Sequence, residues 1–195
     1  KNHYLTRKLL ETYNKYMRVI AGKARSIPLR SVEGLDTRPT TDRIKETLFN
    51  MLQNELADCL FIDLFSGSGG IGIEALSRGA KSAVFVDNNA SSIKIIKQNI
   101  ESTGLESQAK VYSSDYSTFA ATSRDVFDIV FLDPPYQKGL LLPALKSVLP
   151  LMSDYGMIIC EYPPEVDIPE EIGGFKVYRT YRYGKINAAI YRKGL

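Results

Sequence analysis

The stretch Leu60-Phe61-Ile62-Asp63-Leu64-Phe65-Ser66-Gly67-Ser68-Gly69-Gly70-Ile71-Gly72 decides the fold of this 195-residue chain. An apolar run is followed by a glycine-rich turn and then by an apolar helical pattern, which predicts a buried strand, a tight loop and a helix. Glycines let the backbone approach a ligand closely, and the free N–H groups at a helix start can bind it. The stretch therefore predicts an α/β domain with a ligand site at the end of its first strand.

The rest of the chain continues the alternation of strands and helices. Strands are predicted at residues 60–65, 82–87, 110–114, 127–133 and 157–161, and helices at residues 71–78, 90–102, 116–121 and 139–152. Apolar strands alternating with helices indicate a parallel sheet covered on both faces. Residues 176–183 and 186–192 flank Gly184-Lys185, which predicts an antiparallel hairpin. The expected fold class is α/β, a Rossmann-like, mainly parallel sheet with a C-terminal antiparallel hairpin.

The length of the chain suits one main domain with small additions. We expect an extension of uncertain role at residues 1–16, a small basic β arm at residues 17–41 and the α/β domain at residues 42–195. A helix capped by Thr41 or Asp42 opens that domain. Its core-facing positions recur at helical spacing: Ile44, Leu48, Met51, Leu52 and Leu56.

Composition argues against several classes of protein. The longest apolar runs fall well short of the roughly 20 residues of a membrane helix, and residues 1–16 lack the apolar centre of a signal peptide. We therefore expect a soluble, cytoplasmic protein without a membrane partner, and a monomer. Two cysteines, Cys59 and Cys160, and one histidine, His3, are too few for a structural zinc site. We expect buried thiols and no metal.

Basic residues concentrate in two segments. Residues 176–193 contain six basic residues, four tyrosines and no acid, and residues 17–43 contain six basic residues against three acidic ones. Clustered cations with aromatic rings suit a phosphate backbone with unstacked bases, but a solvated strand face has the same composition. The pattern alone leaves both open. The basic residues of the first segment are Arg18, Lys23, Arg25, Arg30, Arg38 and Arg43.

Three aspartates end successive predicted strands, at Asp63, Asp87 and Asp115. The carboxyl ends of parallel strands meet at one edge of the sheet, where ligands bind. Asp87 can accept hydrogen bonds from both hydroxyls of an adenosine ribose, and Asp115 from an adenine amino group. Because Gly67, Gly69 and Gly72 also fit the dinucleotide fingerprint G-x-G-x-x-G, the glycines alone do not choose between cofactors.

The stretch Asp133-Pro134-Pro135-Tyr136 ends the fourth predicted strand at the same edge. A carboxylate and the Pro134 carbonyl can accept both hydrogens of a planar amine, which shifts electron density toward its nitrogen and makes attack on a methyl sulfonium feasible. The prolines fix the backbone, and the Tyr136 ring offers a stacking face for an extruded base. These residues form the predicted catalytic set. Whether Asp133 also takes the proton is left open by the sequence.

With these motifs in view, the chain resembles the RsmD family of bacterial 16S rRNA guanine-N2 methyltransferases from residue 17 to the C-terminus. The resemblance includes Met17-Arg18-Val19-Ile20-Ala21-Gly22, the glycine loop, Glu74-Ala75-Leu76-Ser77-Arg78-Gly79-Ala80 and the Asp-Pro-Pro-Tyr box. Its most specific part is Leu35-Asp36-Thr37-Arg38-Pro39-Thr40-Thr41-Asp42-Arg43-Ile44-Lys45-Glu46-Thr47-Leu48-Phe49-Asn50. Loop and box are shared more widely among amino methyltransferases.

The resemblance implies S-adenosyl-L-methionine as cofactor and the small ribosomal subunit, or its assembly intermediate, as partner. It implies that the 16S rRNA guanine conventionally numbered 966 is held by Asp133 to Tyr136. The cofactor set is Asp63, Phe65, Gly67, Ser68, Gly69, Asp87, Asn88 and Asp115. The RNA-binding set is Arg18, Lys23, Arg25, Arg38, Thr40 and Arg43.

Other functions share parts of this pattern. DNA amino methyltransferases and protein glutamine methyltransferases use the same kind of box, although the former usually carry a separate target-recognition region and the latter favour Asn at its first position. A nicotinamide-dependent dehydrogenase explains the glycines but not Asp133 to Tyr136. A non-catalytic RNA-binding module explains the basic segments but not the cofactor edge. By itself the box does not distinguish guanine from adenine.

Overall fold

The computed structural model describes residues 17–32 and 42–194, apart from the side chains of Asp42, Arg43 and Gln137. The predicted extension at residues 1–16 lies outside the described part. So do Arg38, Thr40, Thr41 and the side chain of Arg43, so their predicted roles in RNA binding and helix capping stay predictions.

An eight-stranded sheet forms the centre of the described chain, in the order β5-β4-β3-β6-β7-β10-β9-β8. Strands β5, β4, β3, β6 and β7 are parallel, β10 runs antiparallel between β7 and β9, and β8 pairs with β9. This confirms the predicted fold class, including the C-terminal hairpin. The strands are β3 (Leu60–Asp63), β4 (Ser82–Asp87), β5 (Ala109–Ser113), β6 (Phe127–Leu132), β7 (Met152–Tyr162), β8 (Glu171–Ile172), β9 (Phe175–Tyr183) and β10 (Ile186–Lys193).

Helices cover both faces of the sheet. Those packed on one face are α1 (Asp42–Met51), α2 (Gly70–Ser77) and α3 (Ala90–Thr103), and those on the other are α4 (Tyr116–Thr122) and α5 (Leu141–Val148). The odd-numbered side chains Phe61, Phe131 and Ile159 face the first group, and the even-numbered Ile62 and Val130 face the second. This alternation follows from the two-residue period of a strand.

The predicted helix at residues 139–152 is too long. The structure ends α5 at Val148, and Leu149–Leu151 form a 3-10 turn. Pro150 lacks the N–H that a continuing helix needs. Strand β7 consequently begins at Met152, five residues before the predicted start, and its first part pairs with β6 through a register irregularity.

The sheet order reverses between β3 and β6, because the chain adds β4 and β5 on one side of β3 and β6 and β7 on the other. In open parallel sheets, ligands bind in the crevice at the carboxyl ends of the strands beside such a reversal. Asp63 is the last residue of β3, and Asp133 directly follows β6. Both predicted motifs therefore open onto the same crevice.

An N-terminal arm, residues 17–32, packs on the first face. It contains the paired strands β1 (Met17–Arg18) and β2 (Pro28–Leu29). Buried Asn99 of α3 accepts the N–H of Arg30 at 2.8 Å and donates to the carbonyls of Arg30 and Ser68, each at 2.9 Å. The Asn99 side chain thereby ties the arm to the glycine loop.

The arm also meets the end of α2 closely. Gly22 has φ of 82°, and a Cβ at this position would lie 1.8 Å from the Ser77 carbonyl oxygen. Ser77 accepts the N–H of Ala24 at 2.9 Å. Only glycine fits at Gly22, because a side chain would collide with backbone.

The cysteines Cys59 and Cys160 are buried free thiols, as expected. Burial raises the pKa of each thiol to about 12. Within residues 17–32 and 42–194, none of the helices combines the length and apolar character needed to cross a membrane. The same residues contain no group of three His, Cys, Asp or Glu side chains arranged to hold a metal ion.

Candidate active site

A serine holds the glycine loop between β3 and α2. Ser66 donates its hydroxyl hydrogen to the carbonyl of Asp63 at 2.6 Å and accepts the N–H of Val86 at 2.9 Å. These bonds tie the loop to both β3 and β4. Gly67 and Gly69 adopt φ of 53° and 80°, a region that glycine enters at little cost. The loop can therefore turn sharply and present its backbone to the crevice.

Gly72, the third glycine of the fingerprint, serves packing. A Cβ at this position would lie 2.4 Å from the Phe85 ring, so glycine allows α2 to approach β4 closely. The N–H of Gly72 donates to Asp63 Oδ2 at 3.3 Å. The carboxylate of Asp63 thus lies under the start of α2.

Asp87, at the end of β4, braces the loop from the other side. Its Oδ2 accepts the N–H of Gly67 at 2.8 Å, and its Oδ1 accepts the N–H of Asn89 at 2.8 Å. Each carboxylate oxygen has a second lone pair. The side chain can therefore shape the loop and still accept hydrogens from a ligand.

We expect Asp87→Ala to weaken cofactor binding by about 10-fold or more, since it removes charged hydrogen bonds worth about that factor. Titration calorimetry with the methyl donor measures the effect. Asp167→Ala, which removes an exposed carboxylate, is the matched control. Equal affinities for the two variants would exclude Asp87 from the cofactor site.

The remaining predicted cofactor residues are placed less tightly. Asp115 is exposed, and its Oδ1 accepts the N–H and hydroxyl of Ser117 at 2.9 and 2.7 Å, so it caps α4. These hydrogen bonds lower its pKa. Asn88 is exposed, and the Phe65 ring packs against that of Tyr116 with centroids 5.3 Å apart. Direct contact of Asp115 and Asn88 with a cofactor stays a prediction.

The Asp-Pro-Pro-Tyr box lies at the mouth of the crevice. Pro134 is buried and Pro135 is exposed, and a 3-10 turn begins at Tyr136. Tyr136 has 39% of its surface exposed, and its hydroxyl forms a hydrogen bond with the Asp133 carboxyl. The sequence argument gives Tyr136 a role for its ring alone; the structure adds that its hydroxyl lowers the pKa of Asp133, against the larger effect of burial.

One cavity of about 120 Å³ joins the two motifs. Asp63, the glycine loop and Asp133 all line it. Its further lining residues come from the arm, α1, α2 and β6: Met17, Ser31, Val32, Lys45, Ile71 and Phe131. Sequence reasoning does not single out this second set as site residues, because no local pattern shows that the arm and α1 reach the crevice. Lys45 is fully buried, and its Nζ donates to the carbonyl of Arg18.

Three carboxyl groups lie close together on the same face of the sheet. Asp63 and Glu161 are buried, and Asp133 is partly exposed. Burial raises the pKa of Asp63 to about 8, and the charges of Asp133 and Asp87 contribute. Burial likewise raises the pKa of Glu161, with contributions from Asp133 and Asp63, and withdrawal from water raises that of Asp133. Positive charge in the crevice would stabilise their ionised forms.

Sequence reasoning misses Glu161, although one signal could have found it. Glu161 ends the predicted strand at residues 157–161, as Asp63, Asp87 and Asp133 end theirs. Applying the same carboxyl-edge argument to every parallel strand would have included it.

Comparison with known proteins identifies the family. The family described as Conserved hypothetical protein 95 matches residues 17–192. Ribosomal RNA small subunit methyltransferase D of Escherichia coli is 32% identical over 185 residues, which cover 91% of this chain and 90% of that protein. The chain belongs to this family, the RsmD family. YlbH of Bacillus subtilis is 40% identical over 186 residues, which cover 91% of this chain and 99% of YlbH.

The solved structure of yhhF from Escherichia coli superimposes with a TM-score of 0.80 at 32% identity, covering 92% of this chain and 99% of yhhF. The fold is that of class I methyltransferases, as the RsmD resemblance implies.

Within this RsmD-family fold, the basic residues of the arm lie at different edges of the sheet. Arg30 is exposed and is held to the glycine loop by Asn99, at the carboxyl edge. The Nζ of Lys23 instead bonds Gln108, whose amide donates to backbone carbonyls just before β4, at the amino edge. The arm therefore brings Arg30 toward Asp133 and Lys23 away from it.

Proposed function

We propose that this protein is an S-adenosylmethionine-dependent methyltransferase that modifies the exocyclic N2 of a guanine in 16S rRNA of the small ribosomal subunit. One observation carries the proposal: a single cavity is lined by the glycine loop, Asp63 and Asp133. A methyl donor on the loop and an amine at the box would then be neighbours. Membership of the RsmD family supports rRNA as the carrier of that amine.

The residues of the crevice fit S-adenosylmethionine. The cofactor supplies an electrophilic methyl group on a sulfonium, and it carries further positive charge on its amino group. Asp63 is a buried carboxyl with a raised pKa, so a cationic ligand would offset the repulsion between its charge and those of Asp87 and Asp133. Asp87 would accept hydrogens from the ribose, and the N–H groups of the loop would hold the remaining polar atoms.

The box would activate the amine. The guanine N2 lone pair is delocalised into the ring, so the Asp133 carboxylate and the Pro134 carbonyl accept its two hydrogens and return electron density to nitrogen. The Tyr136 hydroxyl orients Asp133, and its ring stacks on the base. A bound cofactor would supply its methyl group to N2 with loss of its own carbon–sulfur bond, and N2 would give up one proton. The raised pKa of Asp133 makes this carboxylate a suitable acceptor for that proton.

The test is transfer of a labelled methyl group from the cofactor to small subunits that lack the modification, with DNA and a protein glutamine substrate as comparisons. Mass spectrometry of the rRNA locates the product. We expect N2-methylguanosine at one position. Transfer to DNA or protein in its absence would replace the proposal with one of the related amino methyltransferase activities. A small-subunit substrate also places the reaction in the cytoplasm.

We expect Arg30→Gln to weaken binding to the subunit and to lower the slope of log affinity against log salt by about one phosphate contact. Arg30 is exposed at the carboxyl edge, where RNA must approach. Lys23→Gln is the matched control at the amino edge. Filter binding over a series of salt concentrations measures both slopes. An unchanged slope for Arg30→Gln would show that Arg30 does not contact RNA phosphate and that the RNA-binding surface lies elsewhere.

A further inference from the structure

Glu161 is an unusual buried polar residue near the carboxyl end of β7. Its side chain is only 3% exposed, and its Oε1 has no hydrogen-bond partner among the described residues. Buried carboxyl oxygens are nearly always paired, because an unpaired one loses its hydration without compensation. Such an atom at the edge of a site points to a ligand group that completes it.

The sheet register places Glu161 beside Asp133. Leu132 of β6 pairs with Cys160 of β7, so the residues that follow, Asp133 and Glu161, lie side by side on one face, about 4.8 Å apart along the sheet. The charge of Asp133 contributes to the raised pKa of Glu161. A planar amine held by Asp133 would therefore have Glu161 as its next neighbour.

Tyr183 lies on the same face of the sheet, on β9, two strands beyond β7. Its hydroxyl is buried and has no hydrogen-bond partner among the described residues, and burial, Tyr181 and Glu161 raise its pKa to about 12. Ala188 of β10 pairs with both Glu161 and Tyr181, and the Tyr181 and Tyr183 rings stack with centroids 6.3 Å apart. The small Ala188 side chain therefore separates Glu161 from Tyr181, and Tyr183 lies two residues further along β9.

We propose that Glu161 and Tyr183 recognise guanine: Glu161 accepts the base N1–H, and the Tyr183 hydroxyl donates to O6. The order Asp133, Glu161, Tyr183 across the sheet matches the order N2, N1, O6 along the base edge. Adenine would present a lone pair at N1 to Glu161, so these two residues would reject it. Sites built to hydrogen-bond a substrate group discriminate strongly against analogues that lack this group. The inference rests on the proposed guanine-N2 activity and supplies the discrimination that the box alone lacks.

The experiment compares small subunits whose rRNA carries guanine or 2-aminopurine at the target position. The analogue keeps the N2 amine but lacks the N1–H and O6. For the wild type, we expect kcat/KM to fall about 100-fold on the analogue. Glu161→Leu, an apolar replacement of similar size, should lower kcat/KM on guanine about 10- to 100-fold and leave the rate on 2-aminopurine unchanged. Glu161→Gln, which keeps an acceptor oxygen, should retain part of the preference, and Tyr183→Phe should reduce it independently.

Glu165→Gln, at an exposed position four residues further on, is the matched control and should behave as wild type. Cofactor affinity by calorimetry and thermal unfolding identify variants that act on the fold. Equal losses on guanine and 2-aminopurine for Glu161→Leu, Glu161→Gln and Tyr183→Phe would overturn the inference and leave the proposed function intact. Absence of N2-methylguanosine with wild-type enzyme and guanine would overturn the proposed function, and the inference with it.

Discussion

Asp133→Ala is expected to lower kcat for methyl transfer by about 100-fold or more while cofactor affinity stays close to that of the wild type. In the proposed mechanism, the carboxylate accepts a hydrogen from an amine whose nitrogen gains positive charge as the methyl group arrives, and contacts of this kind are worth about 100- to 1000-fold. Asp133 lines the cavity but belongs to the Asp-Pro-Pro-Tyr box and not to the glycine loop. Its removal should therefore spare cofactor binding.

Single-turnover rates and cofactor calorimetry measure the two effects separately. Asp133→Asn is the informative companion, because it keeps an acceptor oxygen but not the charge. Protonation removes the negative charge of Asp133, whose pKa is raised by burial, so wild-type kcat/KM should fall as pH decreases through that raised value. Asp133→Asn should lack this acid limb. Near-normal turnover by Asp133→Ala would exclude Asp133 from the mechanism.

Glu74→Ala is expected to cause the largest loss of stability, about 3–5 kcal/mol in the free energy of unfolding. Glu74 is fully buried on α2. Its Oε2 accepts the N–H of Ile20 at 2.8 Å, and its Oε1 accepts the N–H of Ala21 at 3.0 Å and pairs with Arg78 at 2.7 Å. The substitution leaves two donors of the arm and one guanidinium without their acceptor.

For a chain of this size the loss corresponds to a melting temperature lower by about 6–20 °C. Thermal unfolding followed by circular dichroism measures it. Glu101→Ala, which truncates an exposed glutamate of α3, should change stability by no more than about 0.5 kcal/mol. Equal melting temperatures for Glu74→Ala and Glu101→Ala would show that the carboxylate of Glu74 does not anchor the arm.

Features encoded by neighbouring residues could be predicted from the sequence. The glycine loop and the strand at residues 82–87 follow from local apolar periodicity and from backbone freedom at glycine. The fold class follows from their alternation. The start of β7 could not be predicted in this way. Met152 joins the strand by pairing with Phe127 across the sheet, and the residues around Met152 contain no pattern that indicates this pairing.

The residues of the site depend on tertiary contacts more than the fold class does. Asp63 and Asp133 belong to motifs and were predicted, whereas Lys45 reaches the cavity only because the arm and α1 fold over the crevice. Glu161 lies beside Asp133 only because of the register of β6 and β7. Charge counting treats Lys23 and Arg30 alike, but their hydrogen bonds place them at opposite edges of the sheet.

Asn99 links movement of the arm to movement of the glycine loop. Its side-chain amide donates to both Arg30 and Ser68, so neither segment can shift without straining or breaking a bond to the other. If binding of one ligand shifts the loop and thereby the arm, it changes the affinity of the arm for a second ligand. The second ligand then changes the affinity of the loop for the first by the same factor, because such coupling is reciprocal. The two substrates of the proposed reaction would then influence each other's affinity in part through Asn99.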